Sequence, residues 1–350
     1  MMSKVFILIK DAFGYAGTEK ISDFMCKVFS KDGNEVEVLS LLGSGDTFYP
    51  YTGVSKIVTF SDSISPLFSA LRYISKNKPS CVFVISMGRL SVEFSLMSIF
   101  FDFSNIKTFS CEHVAFFSFP EYVKKLKKVL LKKYDKVIVL TKTDCDFYNS
   151  IGINSVVIKN PMSHKGFIKN SRTNTCIAVG RLTKQKGFDK LLHIWAGFIK
   201  NNPSWTLNIV GDGELKDELI LLANELDISF SVNFKGKISN VDELYNKADI
   251  YLMTSNYEGL PFCLLEAKSW GVPIISFDCP TGPRDIVNDN EDGFLIEKFS
   301  NEEFLIKLNL LSDDDELFYS FSNKTSSAMA DFLPKRIGNQ WLSLLNERKL

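Results

Sequence analysis

The stretch Asn256-Tyr257-Glu258-Gly259-Leu260-Pro261-Phe262-Cys263-Leu264-Leu265-Glu266-Ala267 follows directly on Ala248-Asp249-Ile250-Tyr251-Leu252-Met253, an apolar run of strand character. Pro261 excludes Leu260 from the helical region and suits the first position of a helix. The sequence therefore predicts a strand, a loop carrying Glu258, and a helix from about Pro261 to Trp270 with Glu266 in its second turn. The first turn of such a helix has backbone N–H groups without carbonyl partners and the positive end of the helix dipole, together an anion site. Carboxylates are poor partners for phosphate but good acceptors for sugar hydroxyls. A ligand carrying both phosphate and sugar fits this chemistry.

Working outward, the same strand-loop-helix pattern recurs. Cys176-Ile177-Ala178-Val179 reads as a strand. It ends in Gly180-Arg181-Leu182-Thr183-Lys184-Gln185-Lys186-Gly187-Phe188-Asp189, with a helix expected from about Phe188 to Lys200. A fixed guanidinium and an ammonium at a strand end can hold a diphosphate and neutralise charge as it leaves. Trp205 to Val210 is a further strand running into Gly211-Asp212-Gly213-Glu214, read as scaffold. More strands follow at Val232 to Ile238 and Pro273 to Phe277, and a last helix at about Pro334 to Asn346. The polar run Ser163 to Thr175 reads as a linker between domains.

The first half alternates in the same way. Val5-Phe6-Ile7-Leu8-Ile9 is a continuous apolar run suited to a strand buried on both faces. Then comes a loop, and Ile21, Phe24, Met25, Val28 and Phe29 recur at helical spacing up to Gly33. Strands are expected at Glu35–Leu41, Val54–Phe60, Cys81–Ile85, Lys107–Cys111, Lys136–Leu140 and Ser155–Lys159. Such alternation argues for parallel sheets of α/β type. Glu112-His113 follows one of these strands at its carboxyl end, the ligand edge of such a sheet. His164, in the linker, and His193, in a helix, read as structural. Residues 121–136 carry seven lysines among Val123, Leu126, Val129 and Leu130. Such a basic amphipathic helix fits either a solvated face or contact with an anionic membrane.

These segments resemble the retaining glycosyltransferases of family four. Glu258 and Glu266 match the Glu-x7-Glu motif, and Gly180-Arg181-Leu182 through Lys186-Gly187 matches Gly-Arg-Leu-x-x-x-Lys-Gly. Gly17 and Glu19 match part of the family's first glycine-rich loop, in which Ala16 replaces one glycine, and Glu112-His113 matches its Glu-His segment. The resemblance covers most of the chain and is strongest from Ala178 to Ile296; Cys279 to Arg284 is like relatives that build bacterial surface polysaccharides. It implies the GT-B fold: two Rossmann-like parallel-sheet domains facing a cleft, with a C-terminal helix crossing back to the first. The expected divisions are 1–160 for the acceptor side, 161–332 for the nucleotide-sugar, and 333–350 for the returning helix.

By the same resemblance, Glu266 binds ribose hydroxyls and Arg181 with Lys186 binds the diphosphate. Glu258 holds hydroxyls of the donor sugar, assisted by the backbone of Gly259, Leu260, Pro261 and Phe262. Gly17 faces the donor phosphates, and His113 touches donor sugar or acceptor. The implied reaction moves a hexose or N-acetylhexosamine, with retention, from a UDP-sugar to a saccharide or lipid-linked acceptor in polysaccharide or lipopolysaccharide biosynthesis. No cofactor beyond that donor is implied. No residue stands out as a nucleophile, so leaving-group stabilisation is the expected main term.

Composition narrows the alternatives. Apolar residues make up 45% of 350, enough for two cores. The 41 basic and 41 acidic side chains balance, which gives no global field for nucleic acid. Seven cysteines stand singly, as in a reduced, cytoplasmic protein, and no disulfide frame or zinc site is expected. The run Val5 to Ile9 is too short for an export signal, and Phe94 to Phe103 is too broken to span a membrane. The expected location is the cytoplasm, at the inner face of the cell membrane. Asp144-Cys145-Asp146 and Asp313-Asp314-Asp315-Glu316 read as helix starts, and no metal site is expected. Three rivals remain: a two-lobed binding protein, which lacks the export signal; an inactive homologue that binds a partner; and a sugar-nucleotide epimerase of the same fold.

Overall fold

Apolar runs four to eight residues long, separated by amphipathic helices, fold into two parallel sheets in the computed structural model, which describes residues 3–14, 17–163, 171–238 and 240–347. The chain divides into two compact units, residues 1–161 with 334–350, and residues 162–333. The first unit begins β1 (Lys4–Asp11), α1 (Gly17–Lys31), β2 (Glu35–Leu42), β3 (Lys56–Thr59), α2 (Pro66–Asn77) and β4 (Cys81–Ser86). It continues α3 (Leu90–Met97), β5 (Lys107–Glu112), α4 (Glu121–Leu130), β6 (Lys136–Val139), α5 (Lys142–Ser150) and β7 (Ser155–Val157). The second unit runs β8 (Thr175–Val179), α6 (Phe188–Ile199), β9 (Thr206–Val210), α7 (Lys216–Glu225), β10 (Val232–Gly236), α8 (Asp242–Lys247) and β11 (Ile250–Met253). It ends with α9 (Phe262–Ser269), β12 (Ile274–Phe277), β13 (Gly293–Ile296), α10 (Asn301–Asp313) and α11 (Asp315–Ala328), before α12 (Pro334–Asn346) returns to the first unit.

The first sheet has the order β3-β2-β1-β4-β5-β6-β7 and the second β10-β9-β8-β11-β12-β13, with every pairing parallel. In each sheet the order reverses once, between β1 and β4 and between β8 and β11. In open sheets of this kind, the crevice at the carboxyl end of that reversal is where ligands bind.

Alternation along β1 shows how one run serves two cores. Val5, Ile7 and Ile9 pack with Met25, Phe29 and, from α12, Ile337, Trp341 and Leu344. Phe6 and Leu8 face the opposite side, among Leu67, Leu71, Phe94 and Tyr134. The second sheet is packed against α6 through Leu191, Leu192, Trp195 and Phe198.

Residues 121–136 differ from the expected continuous amphipathic stretch. The helix stops at Leu130, a short 3-10 turn covers Leu131–Lys133, and Lys136 already belongs to β6. Its buried stripe is Val123, Lys127 and Leu130, whereas Leu126 and Val129 face solvent. Lys127 is fully buried and ion-paired with Glu112, itself 1% exposed, and its ammonium lies 4.5 Å from the centre of the Phe119 ring. A lysine is drawn inward here because Glu112, at the end of β5, needs a counter-charge. Strand β3 is also shorter than its apolar run, since as an edge strand it pairs on one side only.

Candidate functional site

Three neighbouring strands of the second sheet, β8, β11 and β12, deliver their following loops to one place. The loop after β8 carries Arg181 and Lys186, and the loop after β11 carries Glu258. Since β8 and β11 are the neighbours across which the strand order reverses, Lys186 and Glu258 stand at the ligand edge that topology alone selects.

Backbone contacts hold the loops together. Asn256 N–H donates to the Gln185 carbonyl at 2.8 Å, and its side-chain amide donates to the Lys184 carbonyl at 2.6 Å. Thr254 Oγ1 donates to the Gly187 carbonyl at 2.9 Å. Lys190 Nζ reaches Asn256 Oδ1 at 2.6 Å, and Gln185 Nε2 donates to the Tyr257 carbonyl at 3.0 Å. From the third strand end, Thr281 Oγ1 donates to the Glu258 carbonyl at 2.6 Å. Two glycines are required for this closeness. Gly187 begins α6 in the left-handed region, at φ 62°, where a Cβ would collide with the Thr254 carbonyl oxygen. Gly211, at φ 140°, lies against the backbone of Gly180, so the Gly211-Asp212-Gly213 turn props the Arg181–Lys186 loop from below.

The charged groups then meet. Lys186 Nζ lies 2.6 Å from Glu258 Oε1, with side chains only 18% and 7% exposed. Burial pulls the lysine pKa down, but the fields of Cys263 and Glu258 and the hydrogen bond to Glu258 outweigh it, so the ammonium is held above the usual lysine value. Lys186 lays its stem over Gly180, where a Cβ would come within 3.1 Å of Cδ and Cε. Arg181 in the same loop is exposed, and among the described residues its guanidinium makes no hydrogen bond or ion pair.

Pro261 precedes α9 in extended conformation, at ψ 108°, as its own ring and position demand. Leu260 and Pro261 are buried packing residues, while Gly259 and Phe262 are half-buried at the helix mouth. The helix closes with Gly271 N–H on the Lys268 carbonyl at 3.0 Å and Val272 N–H on the Ala267 carbonyl at 3.0 Å, a left-handed glycine stop just before Pro273. Glu266 sits one turn in and does not join the Lys186–Glu258 pair. Its Oε2 accepts from Tyr245 Oη at 3.1 Å.

Gly17 and His113 belong to the first unit, at the carboxyl ends of β1 and β5. Gly17 opens α1, with residues 15 and 16 of its loop outside the described set, as is His164. Glu19, in the first turn of α1, is buried and hydrogen-bonded by Thr18 Oγ1 at 2.8 Å. His113 N–H donates to the Ser86 carbonyl at 3.0 Å, and its Nε2 is screened from solvent with no hydrogen-bond partner. Burial pushes its pKa down to about 4 against the field of Glu112, so the imidazole is neutral around pH 7. Arg284, which ends the stretch from Cys279, is ion-paired with Asp278, its Nε 3.1 Å from Oδ1.

Sequence reasoning assigned no role to Tyr245, Asn256, Lys190 or Thr281. Lys190 lies in the first turn of α6, after the Lys186 loop, and nothing local marks Tyr245. Among the described residues, no three His, Cys, Asp or Glu side chains are grouped to hold a metal ion, and no helix is long and apolar enough to cross a membrane.

Comparison with known proteins identifies the family and the fold. Residues 161–327 match the family model described as glycosyl transferases group 1. The amylovoran biosynthesis glycosyltransferase AmsD of Erwinia amylovora is 34% identical, over 99% of this chain and all of the relative. An uncharacterized glycosyltransferase of Haemophilus influenzae is 30% identical over 98% of this chain and 100% of its own. Among solved structures, HepE of Anabaena in complex with UDP superposes with a TM-score of 0.81 at 16% identity, covering 99% of this chain and 100% of that one. That likeness shows the fold, two Rossmann-like α/β halves of GT-B type. The chain belongs to the glycosyl transferases group 1 family.

Proposed function

We propose that this glycosyltransferase moves a hexose or N-acetylhexosamine from UDP, with retention at the anomeric carbon, to a saccharide or lipid-linked acceptor. The observation that carries the reading is the Lys186–Glu258 contact at the strand-order reversal of the second sheet. It sets a cation and a hydroxyl-accepting carboxylate side by side, next to the N-terminus of α9. In this reading Lys186 and Arg181 meet the diphosphate, and the backbone N–H groups of Gly259, Leu260 and Phe262 add donors, Pro261 having none. Glu258 takes sugar hydroxyls and Glu266 the ribose. Gly17 and His113 are proposed as ligand contacts of the first unit; the neutral His113 can accept or donate a hydrogen bond. The bond from the anomeric carbon to the β-phosphate oxygen breaks as the acceptor hydroxyl oxygen bonds to the same carbon from the same face, and the hydroxyl proton passes to the departing phosphate oxygen. The negative charge that develops on the leaving oxygen falls where the two cations stand. UDP in the HepE structure supports uracil as the base.

The test is transfer from a panel of UDP-sugars to lipid-linked and free saccharides, with the product read by NMR. The expected product keeps the donor's anomeric configuration, and turnover persists in EDTA because the cations are supplied by side chains. An inverted product overturns retention. Loss of turnover in EDTA that magnesium restores overturns the metal-free scheme.

We propose in addition that 121–136 touches an anionic membrane. Tyr122, Leu126 and Val129 are 58%, 46% and 66% exposed and follow one another at helical spacing, flanked by exposed Lys125, Lys128, Lys132 and Lys133. Lys127 is withdrawn from this face. At ~1 kcal/mol per lysine, changing those four lysines to serine should weaken binding to vesicles rich in phosphatidylglycerol by about a hundredfold or more. Undiminished sedimentation with such vesicles would remove the membrane assignment.

A further inference from the structure

Tyr245 lies in α8, outside the motifs named above, yet it touches a proposed donor-binding residue directly. It is 1% exposed. Its hydroxyl lies 3.1 Å from Glu266 Oε2 and 3.3 Å from the Cys263 carbonyl oxygen, so one phenolic proton faces two acceptors across the start of α9. The carboxylate is the stronger acceptor of the two.

The tyrosine is itself held in place. Its ring stacks on Tyr251 with centroids 6.1 Å apart and planes 21° apart. Tyr251 Oη in turn accepts from Val179 N–H at 3.2 Å and donates to the Val179 carbonyl at 3.1 Å, at the end of β8. A rigid path therefore runs from the strand that carries the Lys186 loop, through two stacked rings, to Glu266. Helix α8 has a separate tie to α9, in which Trp270 Nε1 donates to Asp242 Oδ1 at 3.1 Å. Burial first, and then the charge of Glu266, pushes the Tyr245 pKa far up, so the phenol remains a donor at every working pH.

Ordering a glutamate side chain on binding costs entropy, and a hydrogen bond already made to one of its oxygens lowers that cost. Fixing one oxygen also aims the other. Resting on the reading that Glu266 takes the ribose, we infer that Tyr245 is its positioning residue: the Tyr245 hydroxyl holds Oε2 so that the carboxylate is preset for the 2′- and 3′-hydroxyls of a nucleoside diphosphate. Specificity for a ribonucleotide then depends on a residue outside the Glu-x7-Glu motif.

The experiment titrates the full-length protein calorimetrically with UDP, GDP, ADP and CDP. The tightest binder is then compared with its 2′,3′-dideoxy analogue. Wild type should prefer the ribonucleotide by about tenfold or more, the worth of hydrogen bonds to a charged group. Glu266→Gln should lose most of that preference. Tyr245→Phe, which removes one oxygen and leaves the ring stack, should lower the preference about threefold or more and raise the donor KM with little change in kcat. Trp270→Phe breaks the other tie between the same two helices and should leave the preference at the wild-type value. If Tyr245→Phe keeps the full preference while Glu266→Gln loses it, the positioning role is wrong and the ribose reading stands. If Trp270→Phe lowers the preference as much as Tyr245→Phe, general loosening of α8 explains the effect and the inference fails. If wild type shows no preference, if Glu266→Gln keeps it, or if no diphosphate binds, the ribose reading fails and the inference with it.

Discussion

Lys186→Met is expected to lower kcat/KM for transfer by about 10²–10³-fold, the usual cost of removing one charged stabiliser of a leaving group. The same change should cost about 2–4 kcal/mol of stability, because Glu258 is left in a buried place with its ammonium partner gone. Methionine is chosen because its stem can still lie over Gly180, where the lysine methylenes now sit. Adding Glu258→Gln removes the stranded charge. The double variant should regain at least half of the lost stability and none of the lost activity. Denaturant unfolding and nucleotide release measure the two effects separately. A double variant that transfers sugar at the wild-type rate would show that the pair is structural only.

The sign of the pH effect follows from the raised lysine pKa. The folded protein holds this proton more tightly than the unfolded chain, so the contribution is complete below about pH 10 and fades as pH rises through the folded value. Lys186 is thus charged throughout the neutral range and adds no titration to activity there.

The second large effect lies in the first unit. Lys127→Met should destabilise it by about 3–5 kcal/mol, since Glu112 would be left at 1% exposure without its counter-ion. Ser110 Oγ, at 2.7 Å, would remain as a neutral donor to Glu112. Pairing Lys127→Met with Glu112→Gln should restore most of the loss, as a neutral pair of similar volume needs no compensation. Because α4 holds to the end of β5 through this contact, the single variant should also disturb His113, the next residue. Thermal unfolding of the single and double variants checks the claim; a single variant as stable as wild type would mean that the pair is not buried in solution.

The same two pairs show what the sequence revealed and what it withheld. Strand and helix positions were legible because period and apolar run length are local properties. Val5 to Ile9 lies inside β1, Pro334 to Asn346 is α12, and the Pro261 helix begins at Phe262. The Lys186–Glu258 contact joins residues 72 apart, and only motif resemblance placed them at one site. No spacing rule could give the strand order that makes β8 and β11 neighbours. Tyr245 was invisible for the same reason: it lies 21 residues from Glu266, on a short helix with no motif. Lys127 was legible in principle. It falls between Val123 and Leu130 on the inner stripe, but all seven lysines of 121–136 were read together as one basic helix. Hydrophobicity reports what a side chain prefers; a buried carboxylate at a strand end can override it.

The central claim is that a donor diphosphate binds where the loops after β8 and β11 meet. A crystal structure of the protein with UDP tests it most directly. Phosphate oxygens are expected within hydrogen-bond distance of Lys186 Nζ and of amides between Gly259 and Cys263, with the ribose against Glu266. UDP seated elsewhere, with Lys186 and Glu258 still paired and touching no ligand, would contradict it.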